Sequence, residues 1–204
     1  MEKDISTEER IKQAAKKVFQ EKGYGLTRTR DIAEEAGINL ASLNYYYRSK
    51  DKLFEIVMKE SIHELLSFVL TIINDETTTL SEKIDLVIER YMDGLLQNPN
   101  LPVFVLSEVQ MNPDKFLQFS GMHKTFLQDS CLFRQIREQL DKVQIQTSAL
   151  HYVTNLVSMV IFPIIGRPIL EMLFKMDDDD YVAFIEARKA LVSSWIKEML
   201  RLEE

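Results

Sequence analysis

The sequence predicts an all-α fold, and three observations carry that prediction. Only six glycines and five prolines punctuate 204 residues, so the elements are few and long. Apolar residues recur at three- and four-residue spacing along most of the chain, the period of an amphipathic helix. No stretch alternates convincingly with the period of two that a half-buried strand requires.

About nine helices follow. The first begins near Ser6 or Thr7, where "STEE" offers a capping hydroxyl and first-turn glutamates. Ile11, Ala14, Ala15, Val18 and Phe19 form its stripe, and Gly23 ends it. A short second helix spans about 29–36, with Ile32, Ala33 and Ala36 on one side and Gly37 as its breaker. Asn39 is a suitable N-cap for a third, over about 40–47. A fourth runs over about 51–73 behind the stripe Leu53, Phe54, Val57, Met58, Ile62, Leu65, Leu66 and Val69. Beyond the loop "NDETTT", helices are expected over 80–96, 103–109, 114–143 with an interruption at Gly121, 147–174 bent around Pro163, Gly166 and Pro168, and 179–202.

Charge narrows the function. The net charge of −7 argues against a protein that coats nucleic acid by bulk attraction. Residues 1–60 nevertheless hold twelve Lys/Arg against eleven Asp/Glu, while the remainder holds thirteen against twenty-one. A near-neutral head on an acidic body permits a local nucleic-acid surface. Cys131 is the single cysteine, so no intrachain disulfide forms and a reducing, cytoplasmic compartment fits. The start "MEKDISTEER" is too charged for a signal peptide. The most apolar stretch, 157–165, falls well short of the roughly 20 residues of a membrane span, so no membrane partner is expected. His63, His123, His151 and Cys131 show no metal-ligand spacing. Asp177 to Asp180 read as an acidic helix start rather than a calcium loop. No nucleophile elbow, phosphate loop or paired-carboxylate motif appears, so no enzyme is expected.

The spacing Ala33–Gly37–Leu43 carries the functional reading. Two short helices crossing steeply need a small residue at the crossing, a residue tolerating positive φ at the turn, and an apolar anchor on the second helix. This is a helix-turn-helix pattern, whose second helix enters the DNA major groove. With Leu43 buried, Tyr47 lies one turn on over the same face. Ala41, Asn44 and Tyr45 look outward, and Tyr46 reaches sideways toward a phosphate. Arg48, Lys50 and Lys52 follow where a DNA backbone would run. Thr27, Arg28, Thr29 and Arg30 open the second helix.

Residues 7–60 or so resemble the DNA-binding domain of the TetR family of transcriptional regulators. The matching stretches are "IKQAAKKVFQEKGY", "TRTRDIAEEAGI" and "LASLNYYYRSKDKL". The resemblance implies DNA contacts from Thr27, Arg28, Thr29, Leu40, Ala41, Ser42, Asn44, Tyr45, Tyr46 and Lys50. This sequence departs from the family pattern in four places. Asn44 replaces the usual Tyr, Tyr46 the frequent His and Tyr47 the usual Phe. Arg28 stands at the usual Ser/Thr cap, which leaves Thr27 as the alternative cap. Asn44 suits bidentate pairing with adenine, and Leu40 suits either the core or a thymine methyl.

The resemblance also implies a division into a helix-turn-helix domain over 1–50 (family domain about 5–65, helix-turn-helix about 28–47) and an effector-binding and dimerisation domain over 51–204. The last two long helices are expected to pair with their twins in a homodimer, through Val153, Val157, Val160, Ile161, Ile164, Phe184, Leu191, Val192, Trp195 and Ile196. The middle helices are expected to enclose a small, largely apolar effector among Phe104, Met111, Phe116, Phe119, Met122, Phe126, Tyr152, Met159 and Phe162. No cofactor is implied. The expected activity is repression from a palindromic operator in double-stranded DNA, relieved by the effector. Regulation through a protein partner, without an effector, is the alternative.

Overall fold

The computed structural model of the chain describes residues 6–202. Among them lie twelve helices and no strand. The chain divides into two compact units. One holds the described residues up to Glu64 together with Val103–Gly121; the other holds Leu65–Pro102 and the described residues from Met122 on.

The first unit contains α1 (Thr7–Leu26), α2 (Thr29–Glu35), α3 (Leu40–Tyr46), most of α4 (Lys50–Ser67), most of α7 (Asn100–Met111) and α8 (Pro113–Ser120). Ser6 caps α1 by accepting the Glu9 amide at 3.2 Å, as the capping signal predicts. The expected stripe of α1 is buried, as are Ile32, Leu43, Leu53 and Val57 of the same unit. Lys12 pairs with Glu60 at 2.8 Å and Lys16 with Glu64, so α1 lies along α4. Gly23 sits at φ 72°, and the chain continues in helical turns to Leu26 before closing.

The second unit is built on α6 (Leu80–Gln97), joined by α5 (Leu70–Ile73), α9 (Cys131–Lys142), α10 (Ala149–Ile165), α11 (Arg167–Phe174) and α12 (Asp178–Met199). Ile84, Ile88, Met92, Val160, Ile185, Val192 and Ile196 fill its core. Asp85 of α6 accepts the Ser193 hydroxyl and, at 2.6 Å, the Lys197 ammonium of α12.

Three expected helices each split in two, which turns nine into twelve. The 51–73 helix breaks at Phe68–Val69. There the Phe68 ring lies against Gly94 of α6, so closely that a Cβ at Gly94 would stand 2.7 Å from it. The 114–143 helix stops at Gly121, left-handed at φ 70°, and restarts where the Ser130 hydroxyl accepts the Phe133 amide. The 147–174 helix turns by 67° at Gly166. A side chain at Gly166 would meet the Phe162 carbonyl at 2.9 Å, so this corner requires glycine. The helix expected over 103–109 is longer, because Pro102 occupies the first turn of α7, where its missing N–H costs nothing.

Two cations, Lys83 buried and Arg188 half-buried, brace the second unit. Pro163 has no N–H for the Met159 carbonyl four residues back, and Arg188 of α12 donates to that carbonyl at 3.2 Å instead. Lys83 is fully buried. Its ammonium donates to the Ile72 carbonyl at 3.0 Å, the Thr78 hydroxyl at 2.6 Å and the Asp75 carbonyl, closing the loop after α5. Lys83→Met keeps the apolar stem and strands those acceptors. We expect a loss of about 2–4 kcal/mol in urea unfolding; an unchanged midpoint would show that water replaces the ammonium.

Candidate nucleic-acid interface

Two helices and a tight turn position the candidate interface. Asp31 accepts the Arg28 amide at 2.8 Å and so fixes the start of α2. That bond, with Lys22 nearby, holds the Asp31 carboxyl below its ordinary value. At the other end Arg10 donates to the Ala36 carbonyl at 2.8 Å. Gly37 then turns the chain at φ 65°, and the Ile38 amide bonds back to the Ala33 carbonyl at 3.0 Å. The Asn39 side chain accepts the Ser42 amide at 2.8 Å, capping α3.

α3 presents the faces that its anchor dictates. Leu43 and Tyr47 are buried, and the Tyr47 hydroxyl reaches the Glu8 carbonyl at 3.4 Å. Burial and the acidic residues nearby, chiefly Glu8, raise this phenol above its ordinary value. Ala41, Asn44, Tyr45 and Tyr46 are exposed, as is Leu40, which therefore does not pack inward; Ser42 is half-buried. Tyr45 is 83% exposed, its ring edge-on to Tyr46 at 5.3 Å. Arg28, Arg30, Arg48 and Lys52 are exposed and Thr29 is half-buried. Several cations of α1 are instead committed to carboxylates: Lys17 to Glu35 at 2.7 Å and Lys22 to Asp31 at 3.5 Å.

One expected contact is corrected, and a second residue takes on a structural role. Thr27 is only 2% exposed, and its hydroxyl donates to the Gly23 carbonyl at 2.7 Å. It closes α1, which runs on past Gly23, and neither caps α2 nor faces outward. Lys50 is not a free cation on an open surface. Its ammonium donates to the Tyr24 carbonyl at 2.9 Å and the Thr27 carbonyl at 3.0 Å, and lies 4.0 Å from the centre of the Tyr24 ring. The Tyr24 hydroxyl in turn bonds to Asp51, which holds the phenol above its ordinary value. This lock ties the α1–α2 loop to the start of α4. Spacing alone did not reveal it; the signal was a tyrosine between two glycines at a loop, with an adjacent Lys-Asp pair at a helix start.

A tight helix-turn-helix with an outward polar and aromatic second helix fits a groove-reading head, and comparison with known proteins identifies it. Residues 11–57 match the model of the bacterial regulatory proteins of the tetR family. The chain is 26% identical over 203 residues to YttP of Bacillus subtilis (strain 168), a probable HTH-type transcriptional regulator, covering 97% of this chain and 95% of that protein. The chain carries a TetR-family DNA-binding domain over residues 11–57. Its fold is shared by PfmR of Thermus thermophilus, a TetR family transcriptional regulator, at a TM-score of 0.64 and 18% identity over 96% of this chain and 100% of that one. FadR of Bacillus subtilis, solved in complex with stearoyl-CoA, gives 0.59 and 20% over 91% and 97%.

Elsewhere in the chain, the remaining candidates separate. Of the expected dimer residues, Val157, Leu191 and Trp195 are exposed and Phe184 is half-buried. Val153, Val160, Ile161, Ile164, Val192 and Ile196 are buried within the single chain, on the inner faces of α10 and α12, and are corrected to core. Exposed Leu150, Phe162, Ile165 and Val182 extend the outer apolar surface instead. The expected effector residues also divide. Phe104 and Met111 line a crevice in the first unit, and Phe126 lines a small cavity in the second. Phe116, Phe119, Met122 and Met159 are half-buried and line neither. Tyr152 is buried and lines neither, so it packs as core. Phe162 is 57% exposed and is corrected to surface.

Thr27→Val removes the buried hydroxyl at nearly constant volume. Stability should fall by about 1–2 kcal/mol in chemical denaturation. Lower DNA affinity at full stability would return Thr27 to the interface.

Proposed function

We propose that this TetR-family regulator binds a palindromic operator as a homodimer, represses transcription there, and is released by a small, largely apolar effector. The observation that carries the proposal is the outward face of α3. Asn44 and Tyr45 stand exposed on a rod whose opposite side is pinned by buried Leu43 and Tyr47. Asn offers the donor and acceptor pair that matches adenine N7 and N6 in the major groove. The exposed Arg28 and Arg48 suit phosphates on either flank. One such rod reads few bases, so two-fold pairing with half-sites about 34–36 Å apart supplies specificity. The exposed apolar residues of α10 and α12, Val157, Leu191 and Trp195, support a second copy as the other half.

The effector reading rests on the cavity of the second unit. It encloses about 150 Å³ among Leu66, Val69, Tyr91, Phe126, Leu156 and other apolar neighbours. Tyr91 is the one lining residue with a polar group. Burial pushes its phenol up to about 12, so it stays protonated and able to donate. The apolar lining suits part of an aliphatic chain, and the stearoyl-CoA bound to the similarly folded FadR supports the same class. Release requires the effector to prefer the state that binds DNA poorly; a coupling of about 1–3 kcal/mol shifts operator affinity roughly five- to 150-fold.

Asn44→Ala should weaken operator binding by roughly ten- to a hundredfold and relax discrimination at one base pair, read by fluorescence anisotropy across substituted operators. Unchanged discrimination would remove Asn44 from the groove. Leu156→Trp fills the cavity. It should leave operator affinity within about twofold and abolish release by long-chain acyl compounds; retained release would place the effector elsewhere. Lys50→Ala is not a clean test of phosphate contact, because it also opens the loop lock.

A further inference from the structure

The first unit holds a larger opening than the effector cavity of the second. It encloses about 500 Å³ between the end of α1, α4, α7 and the start of α8. Small-molecule sites occupy roughly 300–1,000 Å³ and combine an apolar lining with a few convergent polar groups. Both features are present. Tyr24, Phe54 and Phe104 run along the crevice as a chain of rings, with centroids 4.7 Å and 5.9 Å apart. Met58 backs them, and Met111, 77% exposed, borders the opening.

The charged groups set the class of ligand. Asp51, Glu55 and Glu108 line the crevice against one ammonium, Lys115. Asp51 accepts the Tyr24 hydroxyl and Glu108 accepts the Asn112 amide at 2.8 Å, each through one oxygen. Glu55 is exposed at the crevice wall. Carboxylates around aromatic faces attract a cation twice, by charge and by the ring quadrupole. An anion meets three like charges. We infer that this crevice is a binding site for a lipophilic organic cation, separate from the apolar cavity of the second unit.

Occupancy has a direct route to the head. Tyr24 is both a wall of the crevice and the residue whose carbonyl and ring hold Lys50. A ligand stacked on Phe54 and Phe104 presses on that lock and moves the loop preceding α2. This consequence for operator affinity rests on the DNA-binding reading; the site itself does not.

Titration calorimetry on the full chain without DNA tests the site, using tetraphenylphosphonium and its anionic counterpart of the same shape, tetraphenylborate. We expect one phosphonium per chain, bound about tenfold or more tightly than the borate. Glu55→Gln, on an exposed side chain, should weaken the cation roughly three- to tenfold. Ser107→Trp, which blocks the crevice, should abolish binding, and Leu156→Trp in the other cavity should leave it unchanged. Equal binding of the two ions, binding that survives Ser107→Trp, or binding lost with Leu156→Trp would overturn the assignment. Cation binding with no effect on DNA retention would leave the site standing and remove only its coupling to the head.

Discussion

The outward face of α3 exists because Leu43 is buried. A two-turn helix has too few backbone bonds to hold its own orientation. Leu43 and Tyr47 dock on the same side, one turn apart, and fix the rotation of the rod to within a fraction of a turn. Gly37 at φ 65° and the Asn39 cap fix where the rod begins. Every statement about Asn44 and Tyr45 follows from those four residues. A triplet of tyrosines thus contains one structural ring and two free ones, divided by helical period alone.

The head has fewer free cations than its composition alone shows. Twelve cations against eleven carboxylates in the first sixty residues permit a local basic surface. The structure instead spends several on structure. Lys12, Lys16 and Lys17 staple α1 to α4 and α2, Arg10 caps α2, and Lys50 holds the loop. Exposed pairs of this kind add little to stability, but they leave fewer cations to meet phosphates. Affinity then depends on a small set of exposed arginines and on groove contacts, with a shallower salt dependence than a fully basic face would give.

Local signals were legible, and long-range ones were not. The Ser6 and Asn39 caps, the α1 stripe and the positive φ at Gly37 depend on residues within four positions of one another, so the sequence displays them. Arg188 replacing the bond that Pro163 removes reaches Met159, 29 residues away, and Lys83 reaches back to Ile72 around a loop. A lysine in a helix reads as solvated surface until the fold supplies its acceptors. The dimer residues illustrate the same limit: α10 and α12 are apolar on two sides, and periodicity does not say which side faces the chain's own core. Nor did it foresee that Thr27 would serve the helix behind it rather than the one ahead.

The lock at the start of α4 and the apolar cavity near its end set the energetic scale for control. α4 contributes Lys50 to the first and Leu66 to the second. Two charge-assisted bonds to carbonyls and a ring contact contribute on the order of 2–4 kcal/mol when intact. A ligand-driven coupling of about 1–3 kcal/mol is of the same size. A lock much stronger than that would not yield to a small molecule, and a much weaker one would leave the loop mobile without it. An ammonium held by neutral carbonyls, rather than by a buried carboxylate, falls in the range where a bound ligand decides the outcome.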